Sequence, residues 1–304
     1  MKRCYQCNKV PVLLRFTCGT CYLCTGGQVV HTLPEGPPVF GVTTLGKHVY
    51  VLRWKKRDQV EVYDVIAYCL QRCLTVRNGG VFIDMSLCKH SRCLYISDPG
   101  ISHIHRLSLG LRGNATKWPV SDKPRGVSVN AAHNVLVTCP FVRKIKEFSP
   151  RGKLLRDVTL PDGIVHPWHA IQLTSGQFVV CHGRADDPVH RVCTVSADCH
   201  EIVSSHGGQR GSDTGQCNVP GRLAVDDNEF VFVADEENRR VKLLSPTLDY
   251  ICKVVSRDQV NWKPSMLCLD VQRSRLYVAD GEYNESKCTA GRVVVFRVVV
   301  QKRP

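Results

Sequence analysis

The cysteines at the start of the chain have the spacing that comes closest to a metal site. Paired C-x2-C elements supply thiolates that can converge tetrahedrally on Zn²⁺. The candidate ligands are Cys4, Cys7, Cys18, Cys21 and Cys24. This spacing predicts one structural zinc, with Cys21 or Cys24 as the fourth ligand. The alternative is a disordered segment that binds no metal.

Basic residues give the 304-residue chain a formal charge of +14, which favours anionic partners through long-range attraction. The predicted partner-binding residues are Arg53, Trp54, Lys55, Lys56, Arg57, Arg143, Lys144, Arg184 and Arg239. Further cations lie between the predicted repeats: Arg77, Lys117, Lys123, Arg125, Arg210, Arg222 and Lys263. Single-stranded RNA could bind by phosphate contacts and base stacking, whereas an acidic or phosphorylated protein could bind the same arginines. Both partners stay open, as does an even spread of charge over the surface.

Histidines raise the alternative of a metal-dependent lyase or hydrolase whose site lies in the central channel of a β-propeller, the fold that six strand repeats in this sequence predict. Six of the 12 histidines cluster around the fourth repeat: His166, His169, His182, His190, His200 and His206. No H-E-x-x-H, G-x-S-x-G or phosphate-binding glycine loop accompanies them. We therefore predict a binding module without intrinsic catalysis, and keep the propeller enzyme as the alternative.

These side chains must be positioned by a repeat of four strands that recurs six times. The second strands of the six copies centre on Tyr50, Tyr95, Leu136, Val179, Phe232 and Tyr277, at intervals of 41 to 53 residues. Four short strands at such a period are typical of a propeller blade. The sequence predicts an all-β, six-bladed β-propeller over residues 28–298, after a Cys-rich segment (1–27) and before a basic tail (299–304). Only three strands follow Lys263, so residues 28–33 are expected to supply the missing outer strand and close the ring.

The fifth repeat contains the most family-specific motif. A glycine-rich run from Gly207 to Gln216 leads into Val219-Pro220, and Val233-Ala234-Asp235 follows. The segment resembles the linker and core of NHL repeats, and it is similar to the NHL domains of TRIM-NHL and malin-like ubiquitin ligases. The scaffold residues expected from the repeat are Asp235, Asn238, Arg240, Asp280 and Arg292. An aspartate that closes a strand can accept backbone or arginine donors there.

The resemblance implies substrate recognition in a ubiquitin ligase pathway, with ubiquitination machinery as a partner and proteasomal degradation as the outcome. It also implies RNA binding, which some TRIM-NHL proteins perform. The N-terminal cysteines look like the opening of a RING finger, with Cys21 where a histidine is usual. Ligands for a second zinc are absent before the propeller begins, so RING-type E3 activity is implied by resemblance only.

The chain shows no sign of membrane insertion or export. Its longest apolar run near the end, Val293 to Val300, is interrupted by Arg297 and is shorter than a span requires. The apolar stretch Val10 to Leu14 is too short for a secretory signal. Scattered cysteines are expected to be reduced thiols: Cys69, Cys139, Cys181, Cys252 and Cys268. The sequence predicts a cytoplasmic protein with no membrane partner and no cofactor besides the zinc, and it identifies no small-molecule substrate.

Overall fold

The computed structural model describes residues 13–14, 22–54, 59–76, 80–110, 115–284 and 287–302. These residues form 25 β-strands and two short 3-10 helices, Pro140–Val142 and Val271–Arg273. Neither helix has the length to span a membrane, and no other helix occurs in the described ranges.

The strands form six antiparallel sheets, each taking its strands from one stretch of chain except the last. The first in the chain are β1 (Leu13–Leu14) and β2 (Tyr22–Thr32). Blade one contains β3 (Val39–Leu45), β4 (His48–Arg53), β5 (Gln59–Asp64) and β6 (Leu70–Thr75). Blade two contains β7 (Asp84–Cys88), β8 (Cys93–Asp98), β9 (His103–Ser108) and β10 (Ala115–Pro119). Blade three contains β11 (Val127–Val129), β12 (Val135–Cys139), β13 (Lys144–Phe148) and β14 (Leu154–Thr159).

Blade four contains β15 (Pro167–Gln172), β16 (Phe178–His182), β17 (Val189–Val195) and β18 (Ile202–Gln209). Blade five contains β19 (Pro220–Val225), β20 (Val231–Asp235), β21 (Arg240–Leu244) and β22 (Tyr250–Val255). Blade six combines β23 (Lys263–Asp270), β24 (Arg275–Asn284) and β25 (Lys287–Lys302) with β2 and β1. This arrangement confirms the six-bladed β-propeller, and all six predicted second strands lie within β4, β8, β12, β16, β20 and β24.

The core lies between the blades. Successive side chains of a strand point to opposite faces of its sheet, and both faces of each blade are covered by neighbours. In β24, Leu276 and Val278 pack toward blade five, whereas Tyr277 and Ala279 pack toward blade one. Six such apolar clusters occupy the six interfaces. Strands buried on both faces need apolar residues at successive positions, which explains their nearly continuous apolar sequences.

The ring closes through the two ends of the chain. β2 pairs antiparallel with β25, with Val29 opposite Phe296 and Thr32 opposite Val294. The Leu33 N–H also donates to the Val293 carbonyl at 2.8 Å. The expected closure by residues 28–33 is confirmed, and the pairing is longer than expected. Because β2 starts at Tyr22 and β25 continues to Lys302, the strands cross the domain boundaries predicted near residues 27 and 298.

Most of the singled-out cysteines are free thiols. Cys139 and Cys181 are buried, Cys268 is half-buried and Cys69 is exposed. Cys252 is disulfide-bonded, which corrects the expectation of a reduced thiol. Such a bond depends on which distant segments the fold brings together, and cysteine spacing does not reveal that.

Deleting residues 1–32 is expected to lower Tm by at least about 10 °C, measured by circular dichroism, because it removes the outer strand of blade six and exposes the β25 edge. Deleting only residues 1–21 retains β2 and is the matched control, expected to melt close to the full chain. Equal melting of both truncated proteins would contradict closure by β2.

Candidate functional site

The described loops that contain Arg143, Arg184 and Arg239 lie at one end of the central channel. β8 ends at Asp98, whose carboxylate accepts hydrogen bonds from the N–H groups of Gly80 (2.7 Å) and Val81 (3.0 Å). Both residues lie in the connection from blade one. Loops between second and third strands therefore share a face with the connections between blades. We call this the upper face, and the opposite end of the channel the lower face.

In blades five and six, an aspartate at the end of the second strand binds an arginine of the third strand and the connection that precedes the blade. We call this set of contacts the clamp. Asp235 accepts from Arg240 Nε at 2.7 Å and from Asn238 Nδ2 at 2.9 Å. Asp280 accepts from Arg292 Nε at 3.1 Å. Both aspartates are fully buried and also accept backbone N–H groups from the preceding connection. The structure thus brings Asp235 together with Asn238 and Arg240, and Asp280 together with Arg292.

Two variants of this clamp escaped the sequence analysis. In blade two, His105 Nε2 lies 3.1 Å from the Asp98 carboxylate. In blade one the two charges exchange strands: the arginine, Arg53, ends the second strand, and it donates from Nε to Glu61 of the third strand at 2.7 Å. Its remaining nitrogens donate to carbonyl oxygens of Pro34, Pro37 and Gly291. Arg53 is 3% exposed, so its guanidinium joins blades six and one and does not face solvent.

Two cations of β21 hold the glycine-rich connection between blades four and five. Arg240 Nη1 donates to the Ser212 carbonyl at 2.7 Å. Lys242 is fully buried and donates from Nζ to the Thr214 carbonyl at 2.8 Å. Burial lowers the pKa of the Lys242 ammonium, and His206 Nε2 lies 3.1 Å from it. The motif of the fifth repeat therefore positions the connection between blades four and five at the upper face.

Three predicted partner-binding cations, Lys55, Lys56 and Arg57, lie outside the described residues. Trp54 immediately before them is half-buried, and its ring centroid lies 5.3 Å from that of Phe40. The ring-to-ring contact reduces the surface that Trp54 offers for stacking.

Arg143 immediately precedes β13 and Lys144 is its first residue, and both side chains are partly exposed. Arg143 Nη1 lies 2.7 Å from Asp162, and Lys144 Nζ lies 3.2 Å from Asp157. Ion pairs of this exposure contribute little to stability, about 1 kcal/mol or less. The pairs nonetheless place negative charges next to positive charges at this edge of the upper face.

Arg239 is half-buried in blade five and adopts a φ of 52°.

Arg184 belongs to a group of three arginines at the upper mouth of the channel, with Arg125 and Arg222. Burial lowers the pKa of Arg125, and the charges of Arg222 and Arg184 lower it further. The Arg125 guanidinium lies 5.4 Å over the Trp168 ring. Trp168 Nε1 donates to the Gly183 carbonyl at 3.2 Å, next to Arg184. Neither Arg125 nor Arg184 forms an ion pair with a described carboxylate.

Arg222 crosses the channel from blade five to blade two. Its Nη2 donates to the Ile83 carbonyl at 3.2 Å, and its Nε lies 3.6 Å from Asp84 Oδ1. The Asp84 carboxylate accepts the Val127 N–H at 2.8 Å, and His169 Nε2 lies 4.0 Å away. These groups line a cavity of about 190 Å³ to which the first strands of all six blades contribute.

The channel mouth has unfilled hydrogen-bonding capacity. Arg222 Nε and His169 Nδ1 are buried and have no hydrogen-bond partner among the described residues. Burial lowers the pKa of His169 to about 4, so its imidazole is neutral at pH 7. The half-buried Glu236 carboxylate lies over Gly221, where any Cβ would collide with it. Burial raises the pKa of Glu236 to about 8.

The remaining candidate histidines do not reach the channel cavity. His166 pairs with Asp187 at 2.9 Å, and His200 is exposed. His182 and His190 are fully buried in blade four. Within the described ranges, no group of three or more His, Cys, Asp or Glu side chains is arranged to hold a metal ion.

The predicted zinc site falls largely outside the described part of the chain. This applies to Cys4, Cys7, Cys18 and Cys21, whereas the backbone of Cys24 belongs to β2. The zinc therefore stays a prediction.

An exposed apolar patch on the upper face was missed by the sequence analysis. Phe141 is 55% exposed and Val142 38% exposed, in the 3-10 turn between β12 and β13. Ile101, in the corresponding loop of blade two, is 40% exposed. The signal in the sequence is a loop, Pro140 to Val142, that contains no polar residue between two strands. We call Phe141 and Val142, which are adjacent in the chain, the apolar patch.

Solved structures with this fold include enzymes and interaction modules. PQQ-bound aldose sugar dehydrogenase from Streptomyces coelicolor has a TM-score of 0.66 and 10% identity, over 90% of this chain and 98% of that chain. The RRP9 WD40 repeats have a TM-score of 0.62 and 11% identity, over 90% of this chain and 100% of that chain. A streptogramin B lyase has a TM-score of 0.59 and 9% identity, over 89% and 98%. At such identities, these similarities show the propeller fold alone.

No protein-family model matches the chain, and none of the curated proteins does. The narrower resemblance to NHL domains therefore rests on the residues of the fifth repeat.

Replacing Asp235 with alanine is expected to lower the free energy of unfolding by about 3 kcal/mol, because it leaves a largely buried Arg240 without its counter-charge. Urea unfolding followed by tryptophan fluorescence measures the change. Asp227→Ala, at an exposed loop position, is the control and should shift the midpoint little. A similar small shift for both variants would show that the clamp is not a stabilising element.

Buried neutral histidines should make the protein sensitive to acid. Burial lowers the pKa of His169, His182 and His206 to about 4. The unfolded chain binds these protons near pH 6.5, so the stability present above that pH is lost as the pH falls toward 4. Each histidine should contribute about 2 kcal/mol to the difference between pH 7.5 and pH 5.

Urea midpoints at those two pH values test this expectation. His182→Phe should weaken the pH dependence, whereas His200→Gln, an exposed control, should preserve it. An equal pH dependence in both variants would refute the assignment of this effect to His182.

Proposed function

We propose that the propeller is an interaction module whose upper face binds an acidic segment of a protein partner. The observation that supports this most directly is the apolar patch, which lies on the same face as Arg125 and Arg184, two cations without an ion pair among the described residues. Exposed aromatic side chains and arginines are enriched where proteins bind one another. Arg125 lies over the Trp168 ring, but neither arginine is neutralised by an ion pair in the described part of this face.

The patch extends from blade three toward blade four. The Phe141 and His166 ring centroids lie 6.4 Å apart in an edge contact. A bound segment would place an apolar side chain on Phe141 and its carboxylates toward Arg125 and Arg184. The formal charge of +14 would speed the encounter with such a segment.

A protein partner fits this face better than single-stranded RNA. RNA binding of this kind uses free aromatic rings along a continuous basic groove. Trp54 packs against Phe40, and the Trp262 ring lies 5.8 Å beneath the Arg292 guanidinium. Several cations also have carboxylate neighbours: Arg143 with Asp162, Lys144 with Asp157, and Lys263 with Glu237. RNA is therefore retained as an outcome of the test.

The resemblance to TRIM-NHL proteins adds a narrower proposal, in which the bound protein is a substrate of a ubiquitin ligase. The support for it is the motif of the fifth repeat, whose residues position the connection from Gly211 to Cys217. A ubiquitination assay with and without residues 1–27 separates recognition alone from ligase activity that depends on the cysteines.

Selection of displayed peptides on the immobilised full chain is expected to enrich an apolar residue flanked by Asp or Glu. A selected peptide should bind Phe141→Ser at least about tenfold more weakly than the unsubstituted protein in fluorescence anisotropy. The matched control is Val271→Ser on the lower face, where Val271 is 41% exposed and no effect is expected.

A single-stranded RNA oligonucleotide is titrated in parallel. Tight RNA binding that Phe141→Ser leaves unchanged, without any enriched peptide, would replace the proposed partner with RNA. Equal peptide binding by both variants would exclude the apolar patch as the binding surface.

A further inference from the structure

We propose that Arg125, Arg184 and Arg222 form a binding site for a phosphoryl group at the upper mouth of the channel. We call these three residues the mouth site. The inference rests on the proposed function, since it names the chemical group that the upper face recognises. It adds a defined position for that group, bounded below by the channel cavity.

The charge balance of the mouth site favours an anion. Three guanidinium groups have two carboxylates nearby: Asp84 lies 3.6 Å from Arg222 Nε, and Asp187 accepts the backbone N–H of Arg184. Glu236 does not offset the third guanidinium fully, because burial raises its pKa to about 8 and it is mostly protonated at neutral pH. The site therefore keeps an excess of positive charge, and a phosphate monoester carries a charge of about −2 at pH 7.

The hydrogen-bond donors at the site also favour this group. Arg222 is 8% exposed, and its Nε is buried without a partner among the described residues. Arg125 Nε is likewise buried without a hydrogen-bond partner among the described residues. Protonated Glu236 supplies a further donor at the mouth. A phosphoryl group offers three strong acceptor oxygens, whereas a carboxylate offers two.

The arginines of the mouth site differ from the basic side chains that have a structural role. Elsewhere at the ends of the blades a basic side chain is matched with a carboxylate, as in Asp235 with Arg240 and Arg53 with Glu61. Arg125 and Arg184 lack such a match within the described residues, and the neighbouring charges lower the pKa of Arg125. Like charges brought together at a cavity mouth stabilise a bound anion at the expense of the empty state.

The phosphoryl group has two chemical sources. It belongs either to a phosphorylated side chain of the bound protein segment or to a small free phosphate ester. The apolar patch lies on the same face, so a phosphorylated segment would engage both surfaces together. A free ester would engage the mouth site alone.

Isothermal titration calorimetry on the full chain tests the site with inorganic phosphate, O-phosphoserine, and a selected acidic peptide with and without a phosphoserine. Arg125→Gln and Arg184→Gln should each weaken binding of every phosphorylated probe by at least about tenfold. Both variants retain Arg222, which is bonded across the channel. Arg151→Gln, at an exposed position on the lower face, is the matched control, and circular dichroism verifies folding.

The outcomes separate the two proposals. Phosphopeptide binding at least about tenfold tighter than O-phosphoserine, and weakened by Phe141→Ser, identifies a phosphorylated partner. Equal binding of the two probes identifies a free ester as the source. Undetectable binding of every phosphorylated probe, or equal weakening by Arg151→Gln, overturns the mouth site. Peptide binding that needs Phe141 but not the arginines also overturns the mouth site and leaves the proposed function intact. Phosphate binding without any peptide binding supports the mouth site and overturns the proposed function.

Discussion

The pairing of β2 with β25 holds the ring closed, and the positions of all other functional groups depend on that closure. Each blade buries apolar side chains against two neighbours, so an open ring would leave two of the faces without cover. Leu33, Val293 and Val295 belong to the interface that the closure creates between blades six and one. With the ring closed, side chains from opposite blades can meet across the channel, as Arg222 of blade five meets Asp84 of blade two.

Electrostatic pairing then distinguishes two kinds of arginine at the upper face. Arg53, Arg240 and Arg292 are matched with carboxylates or carbonyl oxygens, and they connect the ends of strands to the linking segments. Arg125 and Arg184 have no such match in the described part of the chain. A net charge of +14 is therefore a weak guide by itself, because a guanidinium that is already paired has little binding capacity left for a partner.

Periodicity in the sequence predicted the fold well because it records a local constraint. A strand buried on both faces needs apolar residues at consecutive positions, and Val231 to Ala234 satisfy this need without reference to distant parts of the chain. Arg53 shows the limit of the same approach. It follows a strand and precedes a basic loop, like a solvated cation, yet Glu61 and three carbonyl groups enclose it. Cys252 likewise has a bonding state that its local sequence does not indicate.

The sequence by itself determined the six blades, their second strands, the closing segment and the aspartate positions near the ends of the second strands in blades five and six. Each of these depends on the types of residues that are close together in the chain. Only the tertiary structure decided which cations are paired and which converge. Arg125, Arg184 and Arg222 are far apart along the chain, and they come together because blades three, four and five place their upper ends around one channel. Coulomb interactions depend on distance in space, so this convergence has no counterpart in the spacing of residues along the sequence.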